Sequence, residues 1–378
     1  MSLTGNDSDN VNDPATILAD ADRFFSKYYR ASDDDVVMNI VNPVFNPFSP
    51  DPNFEYVGAL AAALVQVYDL VLPFDGTRAE RFLQRLGAIA NAVLANRDDM
   101  RHAMPNAPPY PVFFDSFRKK YMPAWGFFTQ NRDGGWNTDV VTSGLLVYPM
   151  AAFARRVADH PARYAHHQGD AIRFINAVIE TYVGFFPELH LVERDPHAYF
   201  KGPSGYANLQ CFFGNDKERR DCRGYRDGAG KPIDFNENLA MMQALAECAL
   251  AADSALYRGS AAATAGRLSL ATEEMPLVVA KNVAFFVDNL TSHTLPDGTP
   301  YFGFKQLVSS DHDNDDISHA GLSLACLAVI VELQTRLDSL LARAGRAERI
   351  PFSTSVGMGP PTRSSARFGR TTTRLAVT

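Results

Sequence analysis

The chain has 378 residues, 46% hydrophobic and 21% charged, the composition of a globular protein of one large or two ordinary domains. A formal net charge of −7 argues against a general nucleic-acid binder, and no apolar run of about twenty residues free of charge stands out as a membrane span. The charge is unevenly spread. Arg346, Arg349, Arg363, Arg367, Arg370 and Arg374 stand against Glu348 alone, so the tail is basic and the remainder more acidic than the total implies. Met1 to Pro14 is polar and acidic, without the apolar region of a secretory signal, and a cytoplasmic location is expected. Of the four cysteines, Cys248 and Cys326 fall in apolar helical segments and read as small core residues. Cys211 and Cys222 flank a polar loop, Phe212 to Asp221, and would pair only in an oxidising compartment.

Taken in chain order, apolar spacings of three and four predict helices joined by long loops. Ala15–Arg30 is amphipathic. Tyr56–Leu70, rich in Ala, Leu and Val, is followed beyond Pro73 and Gly76 by Thr77–Arg97. Residues 98–136 carry Pro105, Pro108, Pro109, Pro111 and Pro123 and read as a long loop. Asp139–Ala158 and Asp170–Phe186 form the next pair, then a Gly-, aromatic- and charge-rich stretch at 187–235. Asn236–Asp253 and Glu273–Leu290 follow. Pro296-Asp297-Gly298 is a turn signal in a β-prone patch that ends at Phe304. Ile317–Ala344 closes the series as one extended or bent helix. Loops of this length within a compact body usually serve function.

Nearly all-apolar helices (Tyr56–Leu70, Leu239–Leu250, Gly321–Leu333) alternate with amphipathic ones (Thr77–Arg97, Glu273–Leu290). A helix apolar all round is buried on every face. The pattern predicts an all-α fold, an α/α toroid of about four helical hairpins, possibly incomplete, with inner helices sheathed by outer ones. The expected organisation is a disordered acidic N-terminus at 1–14, the toroid domain at 15–344 and a disordered basic tail at 345–378.

The chemistry concentrates where apolar helices begin. Asp311, His312, Asp313, Asn314, Asp315, Asp316 and His319 run directly into the Ile317–Ala344 helix. One Asp caps a helix, but several beside a buried element repel one another and shift pKa values, as acid–base sites do. Asp316 and His319, three apart, share a helix face. A carboxylate beside an imidazole makes a usable acid or base. Two further entrances are similar: Asn131 to Asp139, and Asp234-Phe-Asn-Glu-Asn238, where Asp234 and Glu237 also fit a capping box. Asp311, Asp313 and Asp315 have the 1, 3, 5 spacing of a calcium loop. Asp316 in place of Gly and Leu322 in place of Glu reject the EF-hand, so no metal and no cofactor is called for. Trp125, Trp136, Tyr206 and Tyr301 have polar handles suited to a cleft. Asn236 is a candidate polar contact there, and Arg118 and Lys305 are candidate partners for an anionic group. The expectation is that Asp316 and His319 face one cavity with Asp139, Trp136 and Tyr206 around it.

The segment Asp315-Asp316-Ile317-Ser318-His319-Ala320 resembles an acidic-Asp-Ile-Ser-His-small pattern of six-hairpin glycosidase-like proteins. The Asn-rich helix start at Asp234–Asn238 and the Gly/aromatic hairpin at Gly298–Phe304 extend the likeness over roughly residues 110–335. The resemblance implies a helical toroid and saccharide chemistry. Asp313-Asn314-Asp315-Asp316 also resembles the Asp-x-Asp-Asp motif of class II terpenoid cyclases, and Phe128 to Trp136 is similar to their Gln/Trp repeat.

The reading is a saccharide-processing enzyme, a glycoside hydrolase or a uronate-type polysaccharide lyase. Asp316 or Asp315 is the general acid or base, His319 supports it and Asp139 is a second carboxylate. In an elimination, His319 or Tyr206 abstracts the proton. The alternatives are a cyclase using Asp313, Asp315 or Asp316 as acid, and a non-catalytic binding protein on a degenerate toroid. The expected partner is a small-molecule or oligosaccharide substrate, with neither nucleic acid nor a membrane span. Oligomeric state is not legible.

Overall fold

The computed structural model describes residues 14–28, 54–104, 112–128, 136–203, 230–294, 296–297, 300–303 and 317–352. Of these, 67% are helical and the strands are few and short, in keeping with an all-α class. The principal helices are α1 (Pro14–Tyr28), α2 (Phe54–Val71), α3 (Gly76–Ala95), α4 (Val140–Asp159), α5 (Gln168–Gly184), α6 (Phe235–Ala252), α7 (Met275–Asp288) and α8 (Ile317–Arg343). Their limits follow local chemistry. Asp75 caps α3 by accepting from the Arg78 N–H at 2.9 Å, and Asp139 caps α4 by accepting from the Thr142 N–H at 2.6 Å. Gly345, at φ 71°, ends α8 in the left-handed conformation that glycine adopts without strain. A one-turn π-helix, Leu270–Glu274, precedes α7, whose second residue is Pro276.

The loops hold more strand than expected. Residues 98–136 contain β1 (Phe114–Asp115), β2 (Lys120–Tyr121), β3 (Gly126–Phe128) and β4 (Trp136–Thr138), in sheet order β2-β1-β4-β3. Strands of two or three residues are too short to show a period-two pattern. β5 (Leu189–Leu191) pairs antiparallel with β6 (Ala198–Phe200), and β7 (Thr291–Thr294) with β8 (Pro300–Gly303). The second hairpin brackets Pro296 and Asp297, as the turn signal predicts.

Contacts between helices fix their directions. Gly58 of α2 meets Leu145 of α4, and Asp69 further along α2 pairs with Arg156 further along α4, so the two are parallel. Gly144 of α4 lies against Ala240 and Met241 of α6, and Arg155 and Arg156 pair with Glu247, so α6 is parallel too. Arg336 of α8 pairs with Asp159 at the end of α4, and Arg343 with Asp253 just past α6, joining the C-terminal ends of all three. α7 returns: Asn282 donates to Asn238 near the start of α6.

Almost every residue of α4 and α6 is buried. A Cβ at Gly144 would fall 2.5 Å from the Met241 nitrogen. Glycine here allows the two backbones to touch, and the alanines of α6 keep the opposing surface flat. α8 departs from the expectation of burial on every face. Ser323, Cys326, Leu327, Ile330, Leu333, Leu337 and Leu341 form one buried stripe, while Leu324 is 40% exposed and Ala325 and Ala328 face solvent. Apolar composition alone does not supply neighbours on both sides. By length and composition Ala320–Arg343 is the one described helix apolar enough to cross a membrane, a feature the charge-free criterion passed over. Its buried stripe and two ion pairs fasten it to α4 and α6.

The domain also runs past 344. Ile350 is 2% exposed and Phe352 is buried. The Gln334 side-chain amide donates to both their carbonyls at 3.1 and 2.6 Å, and the Ile350 N–H donates to Asp338 Oδ1 at 3.0 Å. The first residues of the basic tail are therefore docked, because two apolar side chains within it find a groove on α8. The acidic segment before residue 14 and the tail beyond 352 lie outside the described residues.

Candidate functional site

The N-termini of α4 and α6 meet at one end of the helical body. Asp139, at the end of β4, is spent in part on capping α4. Asp234 occupies the N-cap of α6, but its side chain makes no cap hydrogen bond. Glu237, three residues on, reaches back and accepts from the Asp234 backbone N–H. Only one half of the expected capping box is thus made.

Glu237 is the notable group. Its carboxyl is desolvated against the packed start of α6, and the negative charges of Asp234 and Asp139 lie beside it. Together these raise its pKa well above the usual carboxylate range, against the single lowering effect of the Asp234 N–H. A carboxyl whose pKa is raised next to two further carboxyl groups is the arrangement from which acid and base roles separate.

Three buried polar atoms without a hydrogen-bond partner lie in the opening turns of α4, α6 and α8. Asn236, 6% exposed, has a buried Oδ1 without a hydrogen-bond partner, and so do the hydroxyls of Ser143, one turn into α4, and Ser323, in the second turn of α8. Buried polar atoms are ordinarily satisfied. Three orphans in the opening turns of three parallel helices are acceptors and donors set for water or a bound polar molecule.

Of the residues singled out by sequence, Asp139 and Asn236 come together here. His319 lies in the first turn of α8 and Tyr301 in β8, opposite His293. Asp313, Asp315, Asp316, Tyr206 and Lys305, with Cys211 and Cys222, lie outside the described residues. Three others turn inward. The Trp125 indole N–H donates to the Val93 carbonyl at 2.9 Å, and the Trp136 N–H to Asp98 Oδ2 at 2.6 Å; both rings are fully buried. Their polar handles brace the small sheet against α3 and the turn after it, rather than lining a cleft. Arg118 is likewise internal. It pairs with Asp115 at 2.9 Å and Glu188 at 3.1 Å and donates to the Thr138 carbonyl. A guanidinium so fully engaged is a brace and not an anion receptor.

Glu237 was missed as a chemical group because its position three residues after an Asp is that of a capping residue. Nothing local in the sequence says that Asp139, nearly a hundred positions earlier, stands beside it. A cavity of about 210 Å³ lies elsewhere, lined by Arg258, Ser269, Glu273, Leu340 and Arg343. It sits by the C-terminal end of α8, away from these carboxyl groups, and Arg258 and Arg343 are both already paired with Asp253. No family model, curated protein or solved structure matches the chain.

Proposed function

We propose that the protein is a saccharide-processing hydrolase whose site lies at the N-terminal rim of an α/α toroid, with α2, α4, α6 and α8 as inner staves. Glu237 is the general acid, and Asp139 or Asp234 the ionised carboxylate that acts as base or nucleophile. The observation that carries this reading is the convergence of the Glu237, Asp234 and Asp139 carboxyl groups at the starts of α4 and α6, where burial and the two neighbouring charges raise the Glu237 pKa. Hydrolysis needs one carboxyl protonated and one ionised at the same pH, and the raised pKa of Glu237 favours the first of these roles for it. The orphaned Asn236, Ser143 and Ser323 supply hydrogen-bonding groups for hydroxyls of a sugar. The saccharide substrate class itself rests on the resemblance carried by Asp315–Ala320.

His319 is assigned to the same rim. Counted back along the helices from the Arg336–Asp159 pair, at 1.5 Å per residue in each, the level of Asp139 is reached one residue before the first turn of α8. His319 belongs to that turn, and Asp316 is peptide-bonded to its first residue. They are the second acid–base pair of the proposal.

The test is turnover of neutral glycosides, uronate-containing oligosaccharides and linear isoprenoids by the full chain, beside Glu237→Gln, Asp139→Asn and Asp316→Asn. Glu237→Gln keeps the acceptor for the Asp234 N–H and loses the proton. It should cut glycoside turnover by about a hundred- to ten-thousand-fold with the helical circular dichroism unchanged. Full activity in Glu237→Gln sinks the assignment. Turnover confined to isoprenoids, lost in Asp316→Asn, favours the cyclase. Silence on all three panels with an intact fold leaves a binding protein.

A further inference from the structure

At the opposite end of α4 from Asp139, Glu80, His166 and His167 converge. Glu80 lies in the second turn of α3. His166 and His167 lie in the one-turn 3-10 helix Ala165–His167, between α4 and α5. Their ligating atoms all lie within 4.8 Å of one another. His166 Nε2 is 3.4 Å from Glu80 Oε1, and the two imidazole rings are 4.0 Å apart, centroid to centroid. His167 Nε2 is buried and has no hydrogen-bond partner. An imidazole nitrogen shut away from water and left unsatisfied, beside a second imidazole and a carboxylate, is an unusual arrangement for an ordinary surface turn.

The turn that carries these groups is firmly held. Tyr164, just before it, is fully buried, and its hydroxyl accepts from the Tyr68 hydroxyl at 3.0 Å. The His167 N–H donates to the Tyr164 carbonyl at 2.9 Å, and the Gln168 side chain donates to the Pro161 carbonyl at 3.0 Å. Arg163 lies over Gly76 so closely that a Cβ there would sit 1.6 Å from its guanidinium. The Arg163 side chain thus reaches from the loop to the start of α3. His167 packs edge-on against Phe153.

We propose that Glu80, His166 and His167 form a site for a zinc-class divalent cation. Two imidazoles and one carboxylate match the nitrogen and oxygen donors that zinc takes, with water in the fourth position. Tetrahedral bonds of about 2.0–2.2 Å put donor atoms roughly 3.3 Å apart. The His166–Glu80 pair is already at that spacing, and both side chains retain exposure that lets them adjust. The cation would clip the α4–α5 loop to α3. The whole of α4, on the order of 30 Å, separates it from Glu237, so this site stands or falls independently of the proposed hydrolase.

The experiment uses the full chain stripped with a chelator at pH 7.5, then titrated with Zn²⁺ by calorimetry and with Co²⁺ by visible absorption. Saturable binding that includes one site lost in the variants, and a rise in thermal midpoint with added Zn²⁺, are expected. His166→Ala and Glu80→Gln, at partly exposed positions, should each weaken that site by about tenfold or more and leave metal-free unfolding unchanged. His190→Ala, which breaks the separate His190–Asp195 pair, should leave it intact. His167→Gln is read only beside the other two, since His167 also packs on Phe153. Absence of stoichiometric binding, or equal affinity in His166→Ala and Glu80→Gln, would overturn the site and leave Glu80–His166 as an ion pair.

Discussion

The Glu237 carboxyl is central to the functional proposal, and its raised pKa has a thermodynamic consequence. Glu237 has a folded-state pKa raised above the unfolded value of about 4.3. The native state therefore holds its proton after the unfolded state has released it, and stability falls as pH rises through that window. Glu237 contributes its full stability below pH about 4 and loses it progressively toward its folded pKa. Glu237→Gln removes the titration. Its thermal midpoint should exceed that of the parent at neutral pH and match it near pH 4, while activity is lost. A variant midpoint that tracks the parent at every pH would show that Glu237 is not the protonated group. Asp159 has the opposite sign. Burial raises its pKa, but hydrogen bonding to Arg336 and the charge of Arg155 outweigh this and lower it. The Arg336–Asp159 link contributes stability above the unfolded Asp value of about 3.9 and loses it as pH falls further.

Between elements, two contacts set how α4 sits on its neighbours. Glu247 of α6 is buried between Arg155 and Arg156, and Arg156 continues to Asp69 of α2. This network binds three parallel helices at the end away from the candidate site. Removing Glu247 leaves two guanidinium groups short of a counter-charge in the interior. Glu247→Ala should cost about 3–5 kcal/mol in denaturant-derived stability; a loss under 1 kcal/mol would mean that water reaches the arginines. The second contact is Gly144. The Met241 backbone, 2.5 Å from where a Cβ on residue 144 would sit, cannot rotate away as a side chain does, so Gly144→Ala must separate α4 from α6. A destabilisation of about 1–3 kcal/mol is expected, despite the gain in helix propensity from alanine. A neutral or stabilised variant would show that the two helices slide freely.

Across the whole molecule, the docked segment 345–352 makes the C-terminal boundary testable. A chain ending at 344 loses the buried Ile350 and Phe352 and leaves the Gln334 amide without its two carbonyl acceptors. Two apolar side chains at ~2 kcal/mol each, offset in part by the ordering of the segment, put it about 2 kcal/mol below a chain ending at 352. Equal midpoints for the two truncations would show that the segment does not dock. The helices themselves were legible in the sequence, because a periodicity of three to four apolar residues is a local property of the chain. So were the Pro296–Asp297 turn and the burial of Cys248. Tertiary structure alone decided which apolar faces found partners. α6 is covered on nearly all sides and α8 on one, although both read as apolar all round. It also turned Trp125, Trp136 and Arg118 inward, because their polar atoms met internal partners nearer than any cleft. And it set Glu237 beside Asp139, since desolvation and the charge of a residue distant in sequence act through space and leave no local mark on the chain.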